Sequence, residues 1–193
     1  MLGLKLPTDP RWVHLVDKSI EEILTDHAYC EQKAASSGIS LIINYPHLED
    51  LVDEVTKVVD EEWGHFRMVL DELKKRNLKF GRARKDEYVN ELQKRIKSDG
   101  SPDGILLDRL LMCALIEARS CERFKLLSLQ CSDLDLRAFY KRLMVSEAGH
   151  YKLFLDFAYH YLGEEKTDKR WKFFLDTEAQ VMQELSLRGD RMH

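Results

Sequence analysis

Val58-Val59-Asp60-Glu61-Glu62-Trp63-Gly64-His65-Phe66-Arg67-Met68-Val69 is the stretch that decides the fold. It reads as a helix, and three positions along a helix bring Glu62 and His65 to one face, where both side chains reach a single ion. Val55, Val58, Val59, Phe66 and Val69 surround them, so a carboxylate and an imidazole point into an apolar interior. A buried charge needs a partner. The pattern returns at Glu147-Ala148-Gly149-His150, with Leu143, Met144 and Phe154 at helical spacing around it.

One Glu-x-x-His says little, because a chain of this composition holds about 0.6 of them by chance. Two say more, and each is preceded by an apolar helical stretch with one inward Glu at a similar distance. Glu31 stands 31 residues before Glu62, and Glu117 stands 30 before Glu147. One Glu from each of two helices, with Glu-x-x-His from each of two others, is the ligand pattern of a carboxylate-bridged dimetal site in a four-helix bundle. Glu122 competes with Glu117, but it lies 25 residues before Glu147 and in phase with Ala118 and Arg119, which places it on the flank.

Four carboxylates offset the charge of two divalent ions, which makes their burial tolerable. A donor set of oxygen and nitrogen without thiolate suits iron or manganese, and zinc also fits these ligand types. No catalytic side chain beyond the ligands is required. For the second imidazole nitrogens, Asp60, Glu61, Arg119 and His27 are the nearby outer partners. Gly64 and Gly149 sit inside helices at a cost of roughly 1 kcal/mol each relative to Ala, which suggests a close approach by a neighbouring helix.

At 193 residues, 44% apolar and 33% charged, the chain suits one domain, residues 1–193, with a substantial core. No run of about 18 apolar residues is present, so no membrane span is expected. The N-terminal residues lack the features of a signal peptide, and a cytoplasmic location is expected. Cys30, Cys113, Cys121 and Cys131 form no Cys-x-x-Cys, which favours free, buried thiols. A net charge of −4 argues against general nucleic-acid binding but leaves room for a local basic patch.

Asp9-Pro10 starts a helix predicted over 10–36, stopped by Ser36-Ser37-Gly38. The apolar segment 38–45 reads as a packed loop ended by Pro46. Helix 2 is predicted from Pro46 to Asn77, then a crossover of more than 20 residues containing a short helix over 86–97. Ser101-Pro102 and Ser132-Asp133 start helices 3 and 4, the latter ending at Gly163, and Thr167 caps a last helix over 168–188 with an apolar stripe. The whole chain reads as all-α. The crossover begins with Lys74, Lys75, Arg76, Lys79, Phe80, Arg82, Arg84 and Lys85, seven basic residues and an aromatic with no acidic residue among them. Such a run can hold phosphates, and Phe80 can stack on a base.

The array Glu31, Glu62-x-x-His65, Glu117, Glu147-x-x-His150 resembles the ferritin-like carboxylate di-iron superfamily. The likeness extends through Leu6-Pro7-Thr8-Asp9-Pro10-Arg11-Trp12, the stretch from Asn44-Tyr45-Pro46 to Phe66, Leu115 to Phe124, and Ser146 to Tyr151. These segments resemble the bacterial MiaE family of tRNA hydroxylases over nearly the whole chain. That resemblance implies a ferritin-like four-helix bundle with a crossover between helices 2 and 3 and additional short and C-terminal helices. It implies two iron ions on the six ligands, dioxygen as co-substrate and an external electron donor. The implied reaction is hydroxylation of the isopentenyl side chain of 2-methylthio-N6-isopentenyladenosine in a tRNA anticodon arm. A ferritin-type iron-oxidising or storage protein and a dimetal peroxidase or catalase are the alternatives that the ligand pattern leaves open.

Overall fold

In the computed structural model, which describes residues 2–193, every regular element is a helix. Seven are present among the described residues: α1 (Arg11–Val16), α2 (Ile20–Asn44), α3 (Glu49–Lys75), α4 (Glu87–Arg95), α5 (Pro102–Gln130), α6 (Leu134–Leu162) and α7 (Glu164–Glu184). Among the described residues no helix is long and apolar enough to cross a membrane. The described chain forms two compact units, one of residues up to Val13 with Asp86–Leu187 and His193, the other of His14–Lys85 with Arg188–Met192.

In the second of these units α2 packs along α3. Glu31 lies near His65, and Gly38, two turns later, lies against Val55 and Val59, so the two helices run antiparallel. Gly38 does not end the first long helix as its type suggests. A Cβ at that position would stand 2.6 Å from Val59 Cγ2, so the glycine serves helix contact, and the apolar run expected as a loop forms the last turns of α2. The helix expected over 10–36 is also broken near its start. Ser19 precedes α2, and its hydroxyl donates to the carbonyls of Leu15 and, at 3.0 Å, of Gly189, tying the C-terminal tail to this turn. The tail continues with Met192 N donating to buried Asp26 at 2.8 Å.

In the first unit α5 packs along α6, and α7 packs on α4, α5 and α6. Cys121 donates to the Met144 carbonyl and the Phe124 and Tyr140 rings lie 5.3 Å apart, again an antiparallel pairing. Local capping sets these starts. Asp86, Ser101 and Asp133 each accept a backbone N–H from the first turn of α4, α5 and α6, satisfying donors that a helix start leaves over. Helix α6 ends at Gly163, whose φ of 81° suits a residue without a Cβ. Helix α7 begins at Glu164, earlier than expected, because Thr167 is no cap. Its buried hydroxyl donates to the Ala158 carbonyl. No disulfide forms among the described residues; Cys121 and Cys131 are buried and Cys30 and Cys113 half-buried.

Candidate metal centre

Two matched sets of side chains stand out, one in each unit. On α2 and α3, Glu31, Glu62 and His65 are buried and offer ligand atoms within 4.8 Å of one another. The His65 Nδ1 lies 3.6 Å from Glu31 and 3.7 Å from Glu62. On α5 and α6, Glu117, Glu147 and His150 are likewise buried with ligand atoms within 4.8 Å. Each set therefore packs two carboxylates and one imidazole out of water.

The chemistry of such a donor set asks for added positive charge. Burial alone would depress the His65 imidazolium, yet the nearby carboxylates of Glu31 and Glu62 outweigh it and push its pKa up to about 10. Burial alone would raise the Glu31 carboxyl, and its surroundings, Glu62, His27 and His65, reverse that and hold it well below the usual carboxylate range. Without a metal, a proton on His65 supplies the charge that the carboxylates require. A divalent cation fits the same place with the same sign, so these residues suit a metal ion.

The outer partners of the ligands separate by position. His27 is fully buried one turn before Glu31, with its Nε2 2.5 Å from a Glu31 oxygen. Asp60 and Glu61 lie on the exposed side of α3. Arg119 is fully buried and occupied elsewhere, donating to Glu178 at 2.6 and 2.9 Å, to Glu122 at 2.8 Å and to Thr8 and the Leu6 carbonyl. Glu122 accepts from the Thr8 amide and hydroxyl at 2.9 and 2.6 Å. It thus belongs to the anchoring of the N-terminal segment, while Glu117 stands with Glu147 and His150. Among the described residues a Cβ at Gly64 or Gly149 would meet no atom within 4 Å, so no neighbouring helix explains either.

The basic stretch divides into two kinds of residue. Lys74 pairs with Asp71, Lys75 and Arg76 with Glu72, and Arg84 with Asp190 while also donating to the Glu22 carbonyl. Lys79, Arg82 and Lys85 are exposed and make no ion pair among the described residues. Phe80 is 41% exposed, and so, at 46%, is Trp63, which the sequence reading passed over. Its position three residues after Asp60 and four before Arg67, both on the polar side of α3, is the periodic signal that marks it as a surface residue.

A solved protein with aldehyde deformylating oxygenase activity from Synechococcus superposes with a TM-score of 0.91 at 31% identity, over 98% of this chain and 94% of its own. Fold and buried carboxylate and imidazole sets together define the class, an all-helical, ferritin-like fold of the di-iron kind. The chain belongs to the MiaE family, described as tRNA-(MS[2]IO[6]A)-hydroxylase, whose model matches residues 2–193. Two curated relatives carry the name tRNA 2-(methylsulfanyl)-N(6)-isopentenyladenosine(37) hydroxylase. The Pseudomonas putida protein is 36% identical over 84% of this chain and 77% of its own length. That of Salmonella typhimurium is 26% identical over 93% and 83%. The chain is accordingly an enzyme, a hydroxylase, and the storage and peroxidase alternatives give way.

Proposed function

We propose that this chain, acting as one ferritin-like domain in the cytoplasm, hydroxylates the isopentenyl side chain of 2-methylthio-N6-isopentenyladenosine in tRNA. Two iron ions would be held by Glu31, Glu62, His65, Glu117, Glu147 and His150. The observation that carries this reading is the twice-repeated set of two buried Glu and one buried His, each with ligand atoms within 4.8 Å, in a member of a hydroxylase family. When bound, a pair of irons with open coordination positions supplies the activation of dioxygen.

The side chains have definite tasks. Four carboxylates balance the charge of two divalent ions, so the loaded interior approaches neutrality. His65 and His150 must be neutral to ligate, and His65 therefore yields its proton on loading. His27, 2.5 Å from Glu31, orients that carboxylate. The balance of the reaction is one C–H bond broken and one C–O bond formed, with the second oxygen atom leaving as water. Two electrons and two protons are required from outside, which is why an external donor is part of the proposal. Lys79, Arg82 and Lys85, the unpaired cations of the basic stretch, would meet tRNA phosphates, with Lys74, Lys75, Arg76 and Arg84 adding only what their internal pairing leaves.

Nucleoside analysis of tRNA from cells with and without the gene tests the reaction. The hydroxylated nucleoside should vanish on deletion and return with the intact gene. An unchanged level refutes the substrate assignment. Metal analysis of the purified chain tests the centre separately, with two irons per chain expected.

A further inference from the structure

Trp63, Phe66, Phe80 and Tyr29 form a continuous run of rings. The Trp63 and Phe66 centroids are 4.8 Å apart, Phe66 meets Phe80 edge-on at 6.1 Å, and Phe80 stacks on Tyr29 at 4.8 Å. Two members of the run face water, and both are large. Trp63 is 46% and Phe80 41% exposed. Their backbone is not loose. The Lys79 and Gly81 amides donate to Glu21 at 3.1 Å and Thr25 at 3.3 Å, and the Tyr29 hydroxyl donates to the Gly81 carbonyl at 3.1 Å. Those bonds pin residues 79–81 to α2 and hold the Phe80 ring in place.

Around these rings stand four cations, with Asp60 on the preceding turn of α3 and Glu21, which accepts from the Lys79 amide, as the nearby carboxylates. Arg67 lies four residues after Trp63, on the same side of α3. With Lys79, Arg82 and Lys85 it is exposed and without an ion pair among the described residues. Exposed aromatic faces bordered by unpaired cations are the arrangement that takes unstacked bases on the rings and phosphates on the Lys and Arg. A duplex offers no free base faces. Trp63 also directly follows Glu62, and Phe66 directly follows His65. The same turns of α3 that point two proposed ligands inward therefore carry the rings on neighbouring faces.

We infer that Trp63 and Phe80, backed by Phe66 and Tyr29 and flanked by Arg67, Lys79, Arg82 and Lys85, form a stacking platform for unpaired loop nucleotides of the RNA substrate. The inference rests on the tRNA reading above and adds the surface and the mode of contact. Its readout is binding, with no need of metal or turnover.

The test is titration of the full chain with an unmodified anticodon stem-loop RNA and, separately, with a blunt RNA duplex of equal length. Binding is followed by quenching of Trp63 fluorescence and by anisotropy of labelled RNA. Trp12 and Trp171 are buried, so quenching by bound RNA reports Trp63. The stem-loop should bind more tightly than the duplex. Trp63→Ala and Phe80→Ala should each weaken it by about 5-fold to 100-fold, Trp63→Phe should restore most of the loss, and Arg82→Ala should flatten the dependence of log K on log salt by about 0.7. Equal binding of stem-loop and duplex, or wild-type affinity in both alanine variants with unchanged helicity, overturns the platform. Wild-type product yield and KM in Trp63→Ala would overturn it too, while leaving the hydroxylase reading intact. Stem-loop binding that needs Trp63 and Phe80, with no product formed in cells, upholds the platform and refutes the reaction.

Discussion

The same substitution, Gly to Ala, should have opposite effects at three helix positions of this chain, because the structure places different neighbours around them. At Gly64 and Gly149 a new Cβ meets nothing within 4 Å. There Ala recovers only helix propensity, a gain of about 0.5–1 kcal/mol. At Gly38 the new Cβ lies 2.6 Å from Val59 Cγ2 and 3.3 Å from Val55 Cγ1, where ordinary contacts begin at 3.4 Å. Both neighbours are valines on a helix, held to one strongly preferred rotamer, so they yield little. Overpacking of this kind costs about 1–3 kcal/mol, which outweighs the propensity gain of about 1 kcal/mol and leaves Gly38→Ala less stable by up to about 2 kcal/mol. At about 2–4 °C per kcal/mol for a chain of this size, Tm should fall by up to about 8 °C for Gly38→Ala and rise by up to about 4 °C for the other two. Chemical denaturation of the metal-free proteins, checked by thermal melts, measures all three. A shift of the same sign at Gly38, Gly64 and Gly149 would refute the close contact of α2 with α3, and with it the account of why the helix runs through Gly38.

Other outcomes follow from the candidate centre and its supports. His65→Ala or His150→Ala should leave the chain folded but lower bound iron from two per chain, as read by metal analysis; undiminished iron would remove these imidazoles from the ligand set. In the metal-free protein the His65 pKa is raised to about 10, so its stabilisation is fully present below the unfolded value near 6.5 and is lost as pH rises through 10. Metal must displace that proton, and affinity measured by chelator competition should strengthen about tenfold per pH unit between roughly 7 and 9; a flat profile excludes the exchange. Arg119→Met removes the guanidinium that binds buried Glu178 and Glu122 and should cost about 3–5 kcal/mol, by denaturant unfolding.

Much of this fold was legible because the deciding interactions are local. The Ser101-Pro102 and Ser132-Asp133 starts work within one helical turn, and the structure begins α5 and α6 where those residues predict. Each Glu-x-x-His was visible for the same reason, since a three-residue step on a helix is geometry that the chain carries in itself. The burial of Glu31 and Glu117 beside these pairs followed from spacing and apolar phase.

What the sequence could not decide depended on residues far apart along it. Gly38 reads as a stop, and only Val55 and Val59 on α3 show that it is a contact. Thr167 reads as a cap until the Ala158 carbonyl claims its hydroxyl. Spacing and phase set Glu122 apart from Glu117, but what Glu122 does is shown only by Thr8, more than a hundred residues away. Arg84 and Lys85 are adjacent cations, yet the C-terminal Asp190 neutralises the first and leaves the second facing water. Helical phase and capping are written in neighbouring residues. The partner of a glycine face, a hydroxyl or a buried charge is set by which distant surfaces the packing brings against it, and that is known only once the chain is folded.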